Sequence, residues 1–185
     1  MAKDTLHGLK VAILATDGVE QVELLEPRKA LDEAGANTTL VSPKSDRIRA
    51  WNFTEWGDEL NVDLPLDRAR PQDFDALHLP GGVINPDKLR MIPQAVEFVK
   101  AFFNADKPVA SICHGPWMII EAEAARGKRI ASWPSLKTDL RNAGATWMDQ
   151  EAVVERNLVT SRNPNDIPAY NREMIALFSK APAHA

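Results

Sequence analysis

The stretch VASICHGPW, residues 109–117, sets a thiol beside an imidazole: Cys113, the only cysteine of the chain, is followed directly by His114, one of four histidines. As a thiolate, a cysteine attacks electrophilic carbon, and an imidazole nearby can take or return the proton. A free cysteine is also among the most buried residue types and commonly packs as a small hydrophobe. The flanking residues weigh against that alternative. Two positions before and two after Cys113 stand Ser111 and Gly115, both small, as a sharp strand-to-helix turn requires if strand and helix are to pack closely. In such a turn the side chain projects above the end of the strand, toward backbone N–H groups and the positive end of a helix. These favour the anion and predict a thiol pKa below the ~8.5 of a free cysteine. The His114 N–H is a natural oxyanion donor. Its ring, on an adjacent residue, need not reach the sulfur.

The elements that must hold this turn are legible as hydrophobic runs. PVASIC (108–113) is one of several short, nearly continuous apolar stretches expected of strands covered on both faces; the others are KVAILAT (10–16), TTLVS (38–42) and DALHLP (75–80). AVVERNLVTS (152–161) reads as a pair of strands turning at Arg156 and Asn157. Between the runs lie helical patterns. The clearest carries Ile92, Ala95, Val96, Val99, Phe102 and Phe103 at helical spacing; another takes Pro27 as its first-turn proline and ends near Gly35. HGPWMIIEAEAA after Cys113 is a third. Strands alternating with helices predict an α/β fold with a mostly parallel sheet. The segment RIRAWNFTEWGDELNVDLPLDRA (47–69) breaks the rhythm and reads as an inserted hairpin or loop, its Trp51, Phe53 and Trp56 taken as packing residues, with an exposed apolar patch for self-association as the alternative. Only the tail SKAPAHA looks frayed.

With 185 residues, 44% of them hydrophobic, residues 1–185 can form one domain with one sizeable core. A net charge of −4 with scattered basic residues excludes the electrostatic footprint of a nucleic-acid binder. The start of the chain lacks the apolar core of a signal peptide, no run approaches the ~20 residues that span a bilayer, and a lone cysteine forbids an internal disulfide. A cytoplasmic protein without membrane association is expected. The histidines and the cysteine are too dispersed for a zinc site, and no phosphate-binding or dinucleotide fingerprint is present, so no cofactor is expected. His78, mid-strand in DALHLP, is read as a satisfied core histidine.

ASICHGPWMI, DALHLPGG and the acidic loop DGVEQVEL after the first strand together resemble the ThiJ/PfpI superfamily, class I glutamine amidotransferase-like, in its intracellular protease PfpI branch. The likeness continues through residues 126–166 and covers nearly the whole chain. It implies a flavodoxin-like three-layer sandwich with a cysteine nucleophile elbow. It also implies Cys113 as nucleophile, His114 as its proton partner, and Glu20 as the glutamate that hydrogen-bonds the sulfur. From the residues alone, Glu20 could instead close a capping box begun by Asp17, and Glu23 is a rival three residues on. Gly81 and Gly82 of LPGG would line the oxyanion and substrate site, the Gly82 and His114 N–H groups forming the hole. Asp87, in INPDKLR, stands near where relatives carry a glutamate that serves the histidine of a neighbouring subunit, implying a homodimer or higher homo-oligomer. The implied activity is that of a stress-related peptidase-like hydrolase, or of a glyoxalase or deglycase acting on a small aldehyde, a glycated amine or a peptide. A non-catalytic redox sensor or a chaperone is the alternative.

Overall fold

The computed structural model describes residues 5–182. The apolar runs become the strands of one sheet: β1 (Lys10–Leu14), β2 (Asn37–Ser42), then, after the insert, β6 (Ala76–Leu79), β7 (Val109–Ile112), β10 (Val153–Glu155) and β11 (Leu158–Ser161). The insert itself is a two-stranded antiparallel hairpin of β3 (Arg47–Asn52) and β4 (Glu55–Asn61), followed by the edge strand β5 (Leu64–Pro65). Two-residue strands β8 (Arg129–Ile130) and β9 (Thr146–Trp147) form a small parallel pair apart from the main sheet. The main sheet runs β10-β11-β7-β6-β1-β2-β5, parallel throughout except for the β10–β11 hairpin, which turns at Arg156 and Asn157. The order reverses at β1, with β2 on one side and β6 on the other, so a crevice opens above the carboxyl ends of β1 and β6.

Helices cover both faces. α1 (Gln21–Glu33) and α6 (Ile167–Phe178) pack together over one, where Leu31, Tyr170, Met174 and Phe178 meet Val11, Ala76 and Ala110. α3 (Pro93–Asn104) and α4 (Trp117–Glu121) cover the other, where Phe98, Phe102 and Ile119 meet Ala12, Leu77 and Val109. Alternation along each strand sends successive side chains to opposite faces, and because both faces are buried the strands read as unbroken apolar runs. α2 (Ile84–Leu89) and α5 (Lys137–Asn142) complete the set.

The first helix differs from its sequence reading. α1 begins at Gln21, so Pro27 sits inside the helix rather than in its first turn. A proline there cannot donate to the carbonyl four residues back, which is that of Glu23. The helix persists because a histidine supplies the missing donor, as described below. Trp51 and Trp56 pack edge to face across the hairpin at 5.3 Å, but Trp56 and Phe53 remain exposed, so packing accounts for only part of that cluster. Of the tail read as frayed, residues 183–185 lie outside the described residues, while Ala181 still packs against the α1–α6 face. No helix among the described residues is long and apolar enough to cross a membrane.

Candidate active site

Cys113 follows the last residue of β7 with φ 63°, in the left-handed region that side-chain-bearing residues seldom adopt. Its backbone is fixed from both sides, the N–H donating to Ser161 O at 3.1 Å and the carbonyl accepting from Trp133 N at 2.9 Å. The small neighbours are a steric necessity. A Cβ on Gly115 would stand 2.5 Å from Ser111 Oγ and 2.6 Å from Leu79 O, and one on Gly81 would stand 2.7 Å from Ile112 O and 2.8 Å from Cys113 Cβ. The Ser111–Gly115 spacing therefore lets β6, β7 and the turn close on one another.

The side chain points into a pocket of about 650 Å³ lined by Gly18, Glu20, Glu23, Trp51, Phe53, Gly82–Ile84, Cys113, His114, Trp133 and residues 163–165. Contrary to the divergence expected of adjacent residues, His114 Nδ1 lies 3.1 Å from Cys113 Sγ. The ring is held by stacking on Trp133, with centroids 5.9 Å apart, and by an edge contact with Trp117 at 5.2 Å. Burial holds the His114 pKa down to about 4, so the imidazole is neutral and can accept a proton.

The carboxyl at the sulfur belongs to Glu23, which corrects the assignment of Glu20. Glu23 is fully buried, its Oε2 accepts from Gly81 N at 2.9 Å, and its carboxyl interacts with the Cys113 thiol. That last contact is loose: Oε1 has no well-aligned hydrogen-bond partner. Glu20, one helical turn earlier, turns the other way, its Oε1 accepting from Phe53 N at 3.0 Å in the hairpin tip. The capping-box alternative fails as well, since Glu20 makes no side-chain cap and Asp17 accepts instead from Arg49 N and Lys44 Nζ.

Electrostatics also reverse the expected sign at sulfur. Burial first, then the charge of Glu23, push the Cys113 thiol well above its ordinary range, against the pull of the Gly82 and His114 N–H groups. The helix after the turn offers little help, α4 being five residues long and starting only at Trp117. The Glu23 part of that push exists only while Glu23 is ionised. Burial, assisted by the charge of Glu20, pushes Glu23 itself up to about 8, so near neutrality it keeps its proton and faces the thiol as a neutral carboxyl. The pair thus holds at most one negative charge.

Of the two glycines, Gly81 has its N–H committed to Glu23 and shapes the site, whereas the Gly82 N–H, which also interacts with the Glu23 carboxyl, joins that of His114 at the sulfur. Asn85, read past in INPDKLR, fixes this turn: it is buried, its Oδ1 accepts from Thr16 N at 2.8 Å, and its Nδ2 donates to the carbonyls of Pro80 and Gly81. Asp87 lies exposed on α2 and does not line the pocket of its own chain. His78 is the core histidine expected, with Tyr170 Oη 2.8 Å from Nδ1 and the Glu23 carbonyl 2.9 Å from Nε2. A carbonyl can only accept, so Nε2 carries the proton and Tyr170 donates to Nδ1. His78 thereby satisfies the carbonyl that Pro27 leaves unpaired. No sequence period shows this, because the partners come from β6, α1 and α6. Among the described residues no cluster of His, Cys, Asp or Glu side chains could hold a metal ion.

A flavodoxin-like α/β protein with a buried thiol, imidazole and carboxyl gathered above the switch point of its sheet is thus defined. Residues 9–177 match the DJ-1/PfpI family, and the chain belongs to it. It is 43% identical over 175 residues to General stress protein 18 of Bacillus subtilis, covering 94% of this chain and 99% of that one. It is also 43% identical over 170 residues to a deglycase of Pyrococcus abyssi, covering 92% and 99%. Among solved structures, a two-domain protein of Anabaena variabilis containing DJ-1/ThiJ/PfpI-like and ferritin-like domains superposes with a TM-score of 0.85 at 33% identity, covering 91% of this chain. This chain spans about half of that one, 47%.

Proposed function

We propose that the protein is a cysteine-dependent glyoxalase or deglycase, using Cys113 against small α-oxoaldehydes such as methylglyoxal and against their adducts with amines. The observation that carries the reading is the meeting of Cys113, His114 and Glu23 at the base of one open pocket. The name of the Pyrococcus abyssi relative supports it. In a buried site where every ionisable group prefers its neutral form, addition without charge separation is favoured. Cys113 Sγ bonds to the aldehyde carbon while the thiol proton passes through His114 Nδ1 to the carbonyl oxygen, which the Gly82 and His114 N–H groups steady as it gains charge. The hydrogen on that carbon then leaves as a proton to a base while the adjacent carbonyl oxygen takes up a proton, giving an enediol; the base returns its proton to the adjacent carbon, and the first hydroxyl loses its own proton as its oxygen becomes the new carbonyl. The resulting thioester is cleaved by water, releasing a 2-hydroxy acid and restoring the thiol. The sum is oxoaldehyde plus water to hydroxy acid, with no external oxidant. From an amine adduct, Sγ bonds to the carbon that carries the nitrogen as its C–N bond breaks, the amine departs with the thiol proton, and the thiol adduct so formed follows the same path.

Lactate release from methylglyoxal tests this reading. Cys113→Ser should lower it by at least about 10³-fold with the fold intact; residual turnover within tenfold of wild type refutes the role of the thiol. A homo-oligomer in which Asp87 serves His114 of a neighbouring subunit is part of the same proposal, as is a cytoplasmic setting that keeps the lone thiol reduced. Asp87→Ala should lower turnover about tenfold while sparing thiol alkylation, and mixed Asp87→Ala and Cys113→Ser oligomers should regain part of it. Exchange of subunits without recovery would place each site within one chain.

A further inference from the structure

The tip of the β3–β4 hairpin carries a feature that the chain's own stability does not explain. Phe53 has φ 57°, a conformation that hairpins give to glycine or asparagine, and the residue is 61% exposed. An aromatic residue there is strained and gains little burial in return. Its backbone is nonetheless gripped on both sides: Glu20 Oε1 accepts from its N–H at 3.0 Å, and Trp51 Nε1 donates to its carbonyl at 2.9 Å. Trp51 is tied in turn to the loop after β1, donating its N–H to Val19 O at 2.7 Å. These bonds hold the exposed ring on the wall of the Cys113 pocket, where Val83 (54% exposed) and Trp133 (40%) supply two further open apolar surfaces.

We infer that Phe53 is a specificity-determining residue of the Cys113 site, held there by Glu20 and Trp51, and that the preferred substrate carries an aromatic or bulky apolar group beside its reactive carbon. This inference deepens the function proposed above and rests on that reading for the word substrate. The contact itself can be read without turnover. Strain kept at a site is explained when the strained group touches what the site binds. An apolar ring, offered without a hydrogen-bonding group of its own, selects for flat or bulky apolar matter rather than for charge.

Alkylation of Cys113 by iodoacetamide and by its N-phenyl derivative, each normalised to a free thiol, provides the test. The wild-type protein should favour the phenyl reagent by about tenfold, and Phe53→Gly should remove most of that preference. Because glycine relieves the left-handed strain, the same variant should melt no lower than wild type, with a gain of up to about 2 °C. Met91→Ala, which removes an 80% exposed side chain outside the pocket, should leave the reagent ratio unmoved. The inference is overturned if the phenyl preference is absent, if it survives in Phe53→Gly, or if Phe53→Gly melts lower or dissociates an oligomer, which would make Phe53 a packing residue. Kinetics with phenylglyoxal against methylglyoxal then connect the two proposals: a phenyl preference in alkylation without turnover of either aldehyde leaves Phe53 standing and removes the proposed reaction.

Discussion

Two glutamates one helical turn apart serve two left-handed turns, and their surroundings separate them. Glu23 is fully buried against Cys113, which has φ 63° and 6% exposure. Glu20 caps Phe53, with φ 57° and 61% exposure, at the rim. At the inner turn, tight packing by Gly81 and Gly115 enforces the strained backbone, and burial raises the pKa of carboxyl and thiol alike. At the outer turn nothing encloses the side chain, and hydrogen bonds from other residues hold the backbone instead. The same backbone strain is thus sustained by packing where reaction is proposed and by polar latches where selection is proposed. A one-turn difference in register decides which carboxyl does which.

Glu23→Gln should separate the two turns most strongly. Turnover is expected to fall about 10²-fold or more, because the amide cannot exchange the carboxyl proton. Stability should move the opposite way. Between the ordinary carboxyl value of 4.5 and the folded-state value of about 8, the unfolded chain releases a proton that the folded chain retains, so wild-type stability falls as pH rises through that window. The variant lacks this loss; its melting temperature should exceed that of wild type increasingly above pH 4.5, most at pH 8 and beyond, and converge near pH 4. Its alkylation at pH 9 should also be faster, since no Glu23 charge then opposes the thiolate. Melting curves that stay parallel across pH would contradict the buried, proton-retaining Glu23.

His78→Leu should be the next largest. It leaves both the Glu23 carbonyl and the Tyr170 hydroxyl without their partner in the core, a loss of about 1–3 kcal/mol for a buried polar group left unpaired. If His78 acts by holding Glu23, the pH profile of Cys113 alkylation should shift as well. Glutamine, able to donate to the same carbonyl, should restore part of that profile. A stability loss with an unchanged profile would reduce His78 to a packing residue.

The smallest effect belongs to Glu20→Ala. Iodoacetamide alkylation of Cys113 should stay within about twofold of wild type, while the N-phenyl preference falls a few-fold as the hairpin tip loosens. Should Glu20→Ala alter the thiol's pH profile as much as Glu23→Gln does, the division of labour between the two carboxyls is wrong.

How much of this was legible follows from the range of each cause. The main-sheet strands other than β5, the helix α3 and the turn around Cys113 depend on neighbours within a few residues, through hydrophobic runs, helical spacing and the small Ser111 and Gly115, and could be read along the chain, whereas the two-residue strands β5, β8 and β9 carry too short a pattern to be read. The motifs that carry the family resemblance are contiguous for the same reason. The start of α1 was misread because Pro27 is a reliable helix-start signal only when no outside donor replaces its missing N–H, and His78 supplies one from 51 positions away. Glu20 and Glu23 fit the loop motif about equally by spacing, and only the rotation of α1 against β6 sends one to the sulfur and the other to the hairpin. The reach of His114, the anchoring role of Asn85 and the rise in the thiol's pKa likewise depend on which groups the packed sheet ends bring together. The sequence by itself determined a mostly parallel sheet, the alternation of its main strands with helices along the chain, and a cysteine at a tight turn, because those follow from local sterics and the period of hydrophobic side chains. The identity of the partner carboxyl, the protonation of the site and the exposed ring at its rim were decided by the tertiary structure, because burial and through-space contact set them and neither is a function of spacing along the chain.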